Sequence, residues 1–323
     1  MKLVIFIPAF NEEATIEKVI KSIPRLKQFS DQKILVVNDG SKDRTALIAK
    51  KAGAIVVSHI KNSGVGKAFQ TGVENALKMG VDIMVTIDAD GQFPISQIEK
   101  LIEPILKQEA DFVTATRFFS KDEYPKDIGP VKLWGNRQIA KIISKITKQK
   151  FSDVACGFRA YSKEALLNLN TFGVFTYTQE VFIDLSLKNL KIVEIPISGI
   201  VYFKGRKSRV FKGVFDYAFK SIAIILRTLR DYKPLKMFAF PGIVLFLLGI
   251  FCEILLFLYY LANHQFSPYI FVGFTGAALN LLGLLFVIIG LVADMLGRLR
   301  ANQERILYNQ KRQLYENSTS RSK

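Results

Sequence analysis

Asp88 and Asp90 stand one residue apart, directly after the apolar run 83–87 and just ahead of Gly91 and Gln92. Two carboxylates so spaced, on a chain leaving a strand, are hard oxygen ligands that suit Mg2+ or Mn2+ shared with a phosphorylated substrate. The plainer use of the same residues is an acidic turn ahead of the helix that follows Pro94. Other polar residues recur at equivalent places: Asn11 and Glu12 after the run 3–7, Asp39 after 34–38, Arg117 after 112–116. The stretch Asn62-Ser63-Gly64-Val65-Gly66-Lys67 puts glycines at a helix opening, where backbone can approach phosphate, but it lacks the Walker spacing Gly-x-x-x-x-Gly-Lys-Ser/Thr.

Residues placed this way need a sheet to present them. Five short runs rich in β-branched residues (3–7, 34–38, 54–58, 83–87 and 112–116) alternate with helical periodicity at 13–29, 44–51, 66–79 and 95–107. The alternation predicts an α/β domain with a mixed, largely parallel sheet. In open sheets of this class ligands bind beyond the carboxyl ends of the strands, and the polar residues above fall there.

The motifs Ile7-Pro8-Ala9-Phe10-Asn11-Glu12-Glu13, Val36-Val37-Asn38-Asp39-Gly40-Ser41 and Asp88-Ala89-Asp90, in that order and spacing, resemble those of a family-2 glycosyltransferase with the GT-A fold. The resemblance covers residues 1–210. It implies that Pro8, Phe10, Glu12, Val37 and Asp39 line a nucleotide-sugar site, with Asp88, Ala89, Asp90 and Gln92 beside them. Asp88, Asp90 and Gln92 would surround the metal. Phe10 stands where the family often carries tyrosine. Later segments narrow the likeness: Asp153-Val154-Ala155-Cys156-Gly157-Phe158-Arg159, Gln179-Glu180, Glu194-Ile195-Pro196-Ile197 and Arg206-Lys207-Ser208-Arg209. Together they resemble the dolichol-phosphate mannose synthase branch and its bacterial relatives, which transfer one sugar to a polyprenyl phosphate.

The acceptor decides which side chains matter. A hydroxyl must lose its proton as the bond forms and needs a general base. A phosphate monoester, with a second pKa of about 6, is already an anion at neutral pH. Such an acceptor needs cations to hold it beside an anionic donor, and Arg117, Lys132, Arg137, Arg206 and Arg209 are the candidates. Asp90, Arg117, Asp153 and Glu180 form the expected catalytic set. Asp153 either faces the acceptor or pairs with Arg159; Glu180 is either a first-turn helix carboxylate or the base for a hydroxyl acceptor on a glycolipid or polysaccharide. A single in-line displacement would invert the anomeric centre. No Gln-x-x-Arg-Trp motif occurs, which disfavours a processive synthase. A catalytically dead assembly component is disfavoured by the intact Asp88, Asp90 and Gln92 set. These motifs distinguish neither GDP from UDP donors nor dolichyl from undecaprenyl acceptors.

Half of the 323 residues are hydrophobic and the net charge is +17, but neither property is spread evenly. The only Asp, Glu, Lys, Arg or His in the stretches 237–262 and 269–293 is Glu253, and each exceeds the ~20 residues that span a bilayer as a helix. Flanking segments 204–236 and 294–323 carry ten Lys/Arg against two acids and seven against three. The turn 263–268 has none, so the positive-inside rule puts both flanks in the cytoplasm. A basic excess beside spans favours anionic lipid headgroups over nucleic acid. The start, with one charge, a short apolar run and Pro8, reads as too short for a signal-peptide core and lacks a cleavage pattern, so the domain ahead of the spans is expected to remain cytoplasmic. The expected organisation is therefore a transferase domain at 1–210, a juxtamembrane amphipathic helix in the interface at 211–235, two transmembrane helices at 236–294, and a basic tail at 295–323, frayed from Glu316. Leu299, Ile306 and Leu314 leave room for a homo-oligomer. Cys156 and Cys252 should not meet. His59 and His264 read as surface residues, Trp134 as core rather than a sugar platform, and Glu253 as a contact to the second span or another subunit.

Overall fold

The structure is a computed structural model that describes residues 1–118, 130–170, 178–200, 230 and 234–320, leaving aside the side chains of 130–132 and 317–320. Residues 1–221 with 308–323 make one compact unit, and 222–307 a second. In the first, the strands are β1 (Lys2–Ala9), β2 (Asp31–Asn38), β3 (Ile55–Ser58), β4 (Ile83–Thr86), β5 (Phe112–Thr116), β6 (Arg159–Ser162) and β7 (Ile192–Pro196). They form one seven-stranded sheet in the order β3-β2-β1-β4-β6-β5-β7. β1 lies near its centre because it is apolar on both faces: Leu3, Ile5 and Ile7 on one side and Val4 and Phe6 on the other are all buried. It runs parallel to both neighbours, with Ile5 opposite Ile34 of β2 and Val85 of β4.

All five expected strands are present. β6 and β7 are the additions, and β6 changes the architecture. It runs antiparallel between β4 and β5, with Tyr161 opposite both Met84 and Phe112. An antiparallel strand begins where its neighbours end, so the turn ahead of β6 arrives at the carboxyl edge of the parallel strands. Aromatic packing secures it. Phe6 meets Phe69, Phe69 meets Tyr161 and Tyr161 meets Phe112, at ring-centroid distances of 6.2, 5.7 and 4.8 Å. Each such pair adds ~0.5–1.5 kcal/mol beyond its buried area.

The helices are α1 (Ile16–Lys21), α2 (Thr45–Lys51), α3 (Val65–Lys78), α4 (Ile98–Leu106, after a 3-10 turn at Ile95–Gln97), α5 (Pro130–Thr147), α6 (Lys163–Asn168) and α7 (Thr178–Leu187). α1 stops well short of the expected 29, since Pro24 has no N–H to continue the ladder. α3 lies close on the sheet because Gly72 has no Cβ; one there would fall 2.5 Å from the Phe6 ring.

The second unit holds α8 (Pro234–Asn263) and the apolar part of α9 (Ile270–Ser320). Only 11% and 17% of the most apolar window of each is buried, whereas a soluble core helix would be largely covered. The pair approach closely through glycines seven residues apart: a Cβ on Gly242 would sit 2.8 Å from Gly283 O, and one on Gly249 2.6 Å from Gly276 O. Glu253 meets its expected partner on the second apolar helix, accepting from Asn280 Nδ2 at 2.8 Å. α9 continues unbroken through the expected tail to Ser320. Its last turns belong to the first unit, where Tyr308 donates to Glu164 (3.0 Å), Lys311 donates to Leu169 O (2.8 Å) and Tyr315 is buried. The expected interfacial helix falls outside the described residues apart from Arg230, Pro234 and Leu235, and so do Arg206 and Arg209.

Candidate active site

The turns that follow β1 and β2 are stapled together. Asn11 adopts φ +54, a left-handed conformation that asparagine tolerates better than most residues. Its N–H donates to Ser41 Oγ (2.9 Å), its Oδ1 accepts from Lys42 N (2.9 Å), and Glu12 N–H donates to Thr45 Oγ1 (2.8 Å). Glu12 Oε2 in turn accepts from Thr15 Oγ1 (2.9 Å) beside α1. Asp39 is the hub of the region. Its Oδ1 accepts from Ser63 N (2.9 Å) and its Oδ2 from Gly64 N (2.8 Å), which fixes the turn opening α3. His59 Nδ1 lies 2.7 Å from Asp39 Oδ1, and Nε2 lies 3.0 Å from Thr71 Oγ1. His59 is thus a brace behind Asp39, with its side chain 14% exposed, and not the surface residue expected. A carboxylate has about four acceptor positions, so one on Oδ2 is left for a further donor.

Asp88 and Asp90 follow β4, and the Asp88 carboxyl is pushed up to about 7. Burial is the main cause and the negative charge of Asp90 the next, with Glu12 adding to it; Arg117 and Arg159 oppose them. Gly157, ahead of β6, makes the place for this carboxyl: a Cβ there would sit 2.9 Å from both Asp88 oxygens. Asp90 Oδ1 accepts from Gln92 N at 3.0 Å, drawing the Asp90–Gln92 turn tight around Gly91 at φ +73. Carboxylates that repel one another in a partly dry recess favour a bound cation, and all their donors are hard oxygens, so the residues fit Mg2+ or Mn2+. Among the described residues no three His, Cys, Asp or Glu side chains gather to enclose a metal. A cation here would take its remaining ligands from phosphate and water.

Arg117, after β5, is gripped by Asp153. Its Nε lies 2.5 Å from Oδ2 and its Nη2 2.9 Å from Oδ1, with Asp153 wholly buried. The expected alternative pairing of Asp153 with Arg159 does not form. The buried Arg159 guanidinium instead donates to Cys156 O (2.7 Å) and Val154 O (3.2 Å) and lies over the Phe112 and Phe182 rings. Asp153 therefore orients a cation at the edge, and Arg159 holds the turn that carries it.

Residues 4–169 match the model of the family described as Glycosyl transferase family 2. The chain belongs to that family. Among its relatives, the UDP-N-acetylglucosamine–dolichyl-phosphate N-acetylglucosaminyltransferase of Methanococcus voltae is 32% identical over 231 residues, covering 65% of this chain and 90% of its own. The undecaprenyl-phosphate 4-deoxy-4-formamido-L-arabinose transferase of Sodalis glossinidius is 25% identical over 313 residues, 92% of this chain and 89% of its own, a match that reaches into the apolar helices. The glucosyl-3-phosphoglycerate synthase of Mycobacterium tuberculosis, solved with Mn2+, UDP-glucose and phosphoglyceric acid, shares the fold with a TM-score of 0.55 at 24% identity, over 70% of this chain and 79% of that one.

This family-2 glycosyltransferase places its other expected site residues unevenly. Pro8 and Phe10 are half-buried at the end of β1, whereas Val37 is wholly buried and Ala89 nearly so. Val37 thus supports the rim from beneath, without surface to offer a nucleotide. Glu180 is half-buried in the first turn of α7, and Arg137 is exposed on α5. Lys132 lies on α5 with its side chain outside the description. Trp134 is 64% exposed, not core. His59 as a brace was illegible because a lone histidine after a strand carries no pattern; Gly157 was illegible because the carboxyl it makes room for lies 69 residues earlier in the chain.

Proposed function

We propose that the enzyme transfers a single sugar from a GDP- or UDP-linked donor to a polyprenyl phosphate, dolichyl or undecaprenyl, at the cytoplasmic face of a membrane. The observation that carries this reading is the meeting of opposite charges at one sheet edge, where the Asp88–Asp90 pair adjoins the Arg117 guanidinium held by Asp153. One side suits a metal diphosphate and the other a second anion. The acceptors for which the two relatives are named, dolichyl and undecaprenyl phosphate, support the choice of lipid. So do α8 and α9, whose exposed apolar surface suits burial in lipid.

Asp88, Asp90 and Gln92 would hold Mg2+ or Mn2+, which would neutralise the diphosphate as it leaves. Glu12 and the remaining Oδ2 position of Asp39 would orient the nucleotide. Arg117, with Lys132, Arg137, Arg206 and Arg209 as further candidates, would bring the ionised lipid phosphate in line with the anomeric carbon. That displacement needs no strong base and inverts the centre.

Membranes carrying the full chain, supplied with labelled nucleotide-sugars and purified lipid phosphates, should put label into an organic-extractable lipid only when divalent cation and lipid phosphate are both present. Arg117→Ala should lower that transfer by about a hundredfold. Glu180→Gln should cost less than about tenfold, and near-complete loss would favour a hydroxyl acceptor with Glu180 as base. Metal-independent transfer to a water-soluble acceptor would overturn the proposal.

A further inference from the structure

Glu194 lies in the middle of β7, opposite Thr114 of β5, and none of the steps above uses it. Its carboxylate reaches away from the strand to a turn about forty residues earlier in the chain. Oε1 accepts from Ser152 N (3.1 Å) and Asp153 N (3.0 Å), and Oε2 from Ser152 N (2.8 Å) and Ser152 Oγ (3.0 Å). Ser152 Oγ also lies 2.7 Å from Thr116 Oγ1, on the last residue of β5. All four contacts thus fall on the two residues that present the Asp153 carboxylate. Asp153 spends its oxygens on Arg117, with a further bond from Ala155 N at 3.1 Å. Burial raises the Glu194 carboxyl above the usual range, so the acid is kept at a cost that an apolar strand residue would avoid. Its use lies in the turn, not in packing β7.

We propose that Glu194 is a positioning residue for sugar transfer: through the 152–153 turn it sets the Asp153 carboxylate and thereby the place of the Arg117 guanidinium. This rests on the assignment of Arg117 to the acceptor phosphate. The route is a chain of direct hydrogen bonds from β7 to the turn ahead of β6 and on to the end of β5, joining three elements that the sheet brings to one edge.

The test uses the full chain in membranes and compares Glu194→Ala, Glu194→Gln, Arg117→Ala and the double variant Glu194→Ala/Arg117→Ala. Glu194→Ala should lower kcat by about tenfold or more while affinity for the donor nucleotide diphosphate shifts by less than about threefold. Glutamine keeps one oxygen for the two backbone N–H groups and an amide for Ser152 Oγ, so Glu194→Gln should recover most of that loss. The double variant should be no worse than Arg117→Ala within about twofold, because without Arg117 there is nothing left for Glu194 to place. Multiplying losses in the double variant, or an unchanged kcat in Glu194→Ala, would overturn the inference while leaving the proposed activity intact. Full activity in Arg117→Ala would overturn the assignment of Arg117 and this inference with it. Should Glu194→Ala fail to fold, Ser152→Ala carries the same test: a several-fold fall in kcat that disappears in the Arg117→Ala background.

Discussion

Asp88 ties the electrostatics of the edge to its proposed chemistry. Its carboxyl, near 3.9 in an unfolded chain, is pushed up to about 7 by burial and by Asp90. Between those values the folded state binds more protons than the unfolded one, so without cation the fold loses stability as pH rises from about 4 to about 7. A cation binds the ionised form and should relieve that loss. On the proposed metal reading, Mn2+ affinity measured by titration calorimetry should fall by up to about tenfold per pH unit below pH 7 and level off above it. A flat profile from pH 5 to 8 would separate Asp88 from the metal. Asp153 has a different task, because both its oxygens engage the Arg117 guanidinium and so orient it.

Loop closure on the side proposed for the nucleotide depends on backbone shape more than on side chains. Gly40 has φ +71, and a Cβ there would strike the Lys61–Asn62 peptide, whereas Gly53 at φ +93 has nothing within 4 Å of the same position. Gly53→Ala should cost only the conformational term, about 1 kcal/mol. Gly40→Ala should cost that plus the forced separation of the turn after β2 from the turn before α3, at least about 2 kcal/mol. Denaturant midpoints of the two variants measure the difference, and equal losses would show that the turns part without resistance. The element is sensitive because Asp39 fastens the same two turns from the other side.

Taken as a whole molecule, the chain returns to its catalytic unit after its apolar helices. The segment 308–323 belongs to the first unit, with Tyr315 buried and Lys311 donating to Leu169 O and Asn170 Oδ1. Burial lowers the Lys311 pKa, and the two carbonyl acceptors show why it is tolerated there. Deleting 308–323 while keeping both apolar helices should lower the thermal midpoint of the catalytic unit by several degrees, as loss of a buried aromatic and two charged hydrogen bonds requires. An unchanged midpoint would show the tail to be passively docked.

The first five strands, the helical stretches between them, the α/β class, the carboxyl-edge position of Asp39, Asp88 and Arg117 and the two long apolar helices were legible in the residues themselves. Each depends on local periodicity, local polarity or chain length. Tertiary structure decided what local pattern cannot carry. β6 is four residues long and contains a buried arginine, so nothing in its composition announces a strand; only pairing with β4 and β5 makes it one. That pairing brings Gly157 to Asp88, Asp153 to Arg117 across 36 residues, and the 152–153 turn to Glu194 across 42 from Ser152. The sequence by itself therefore determined which chemical groups stand at the edge, because their types and their places after strands are local facts. Which carboxylate holds which cation was left to the fold, because the energy of a buried charge depends on neighbours that only the folded chain supplies.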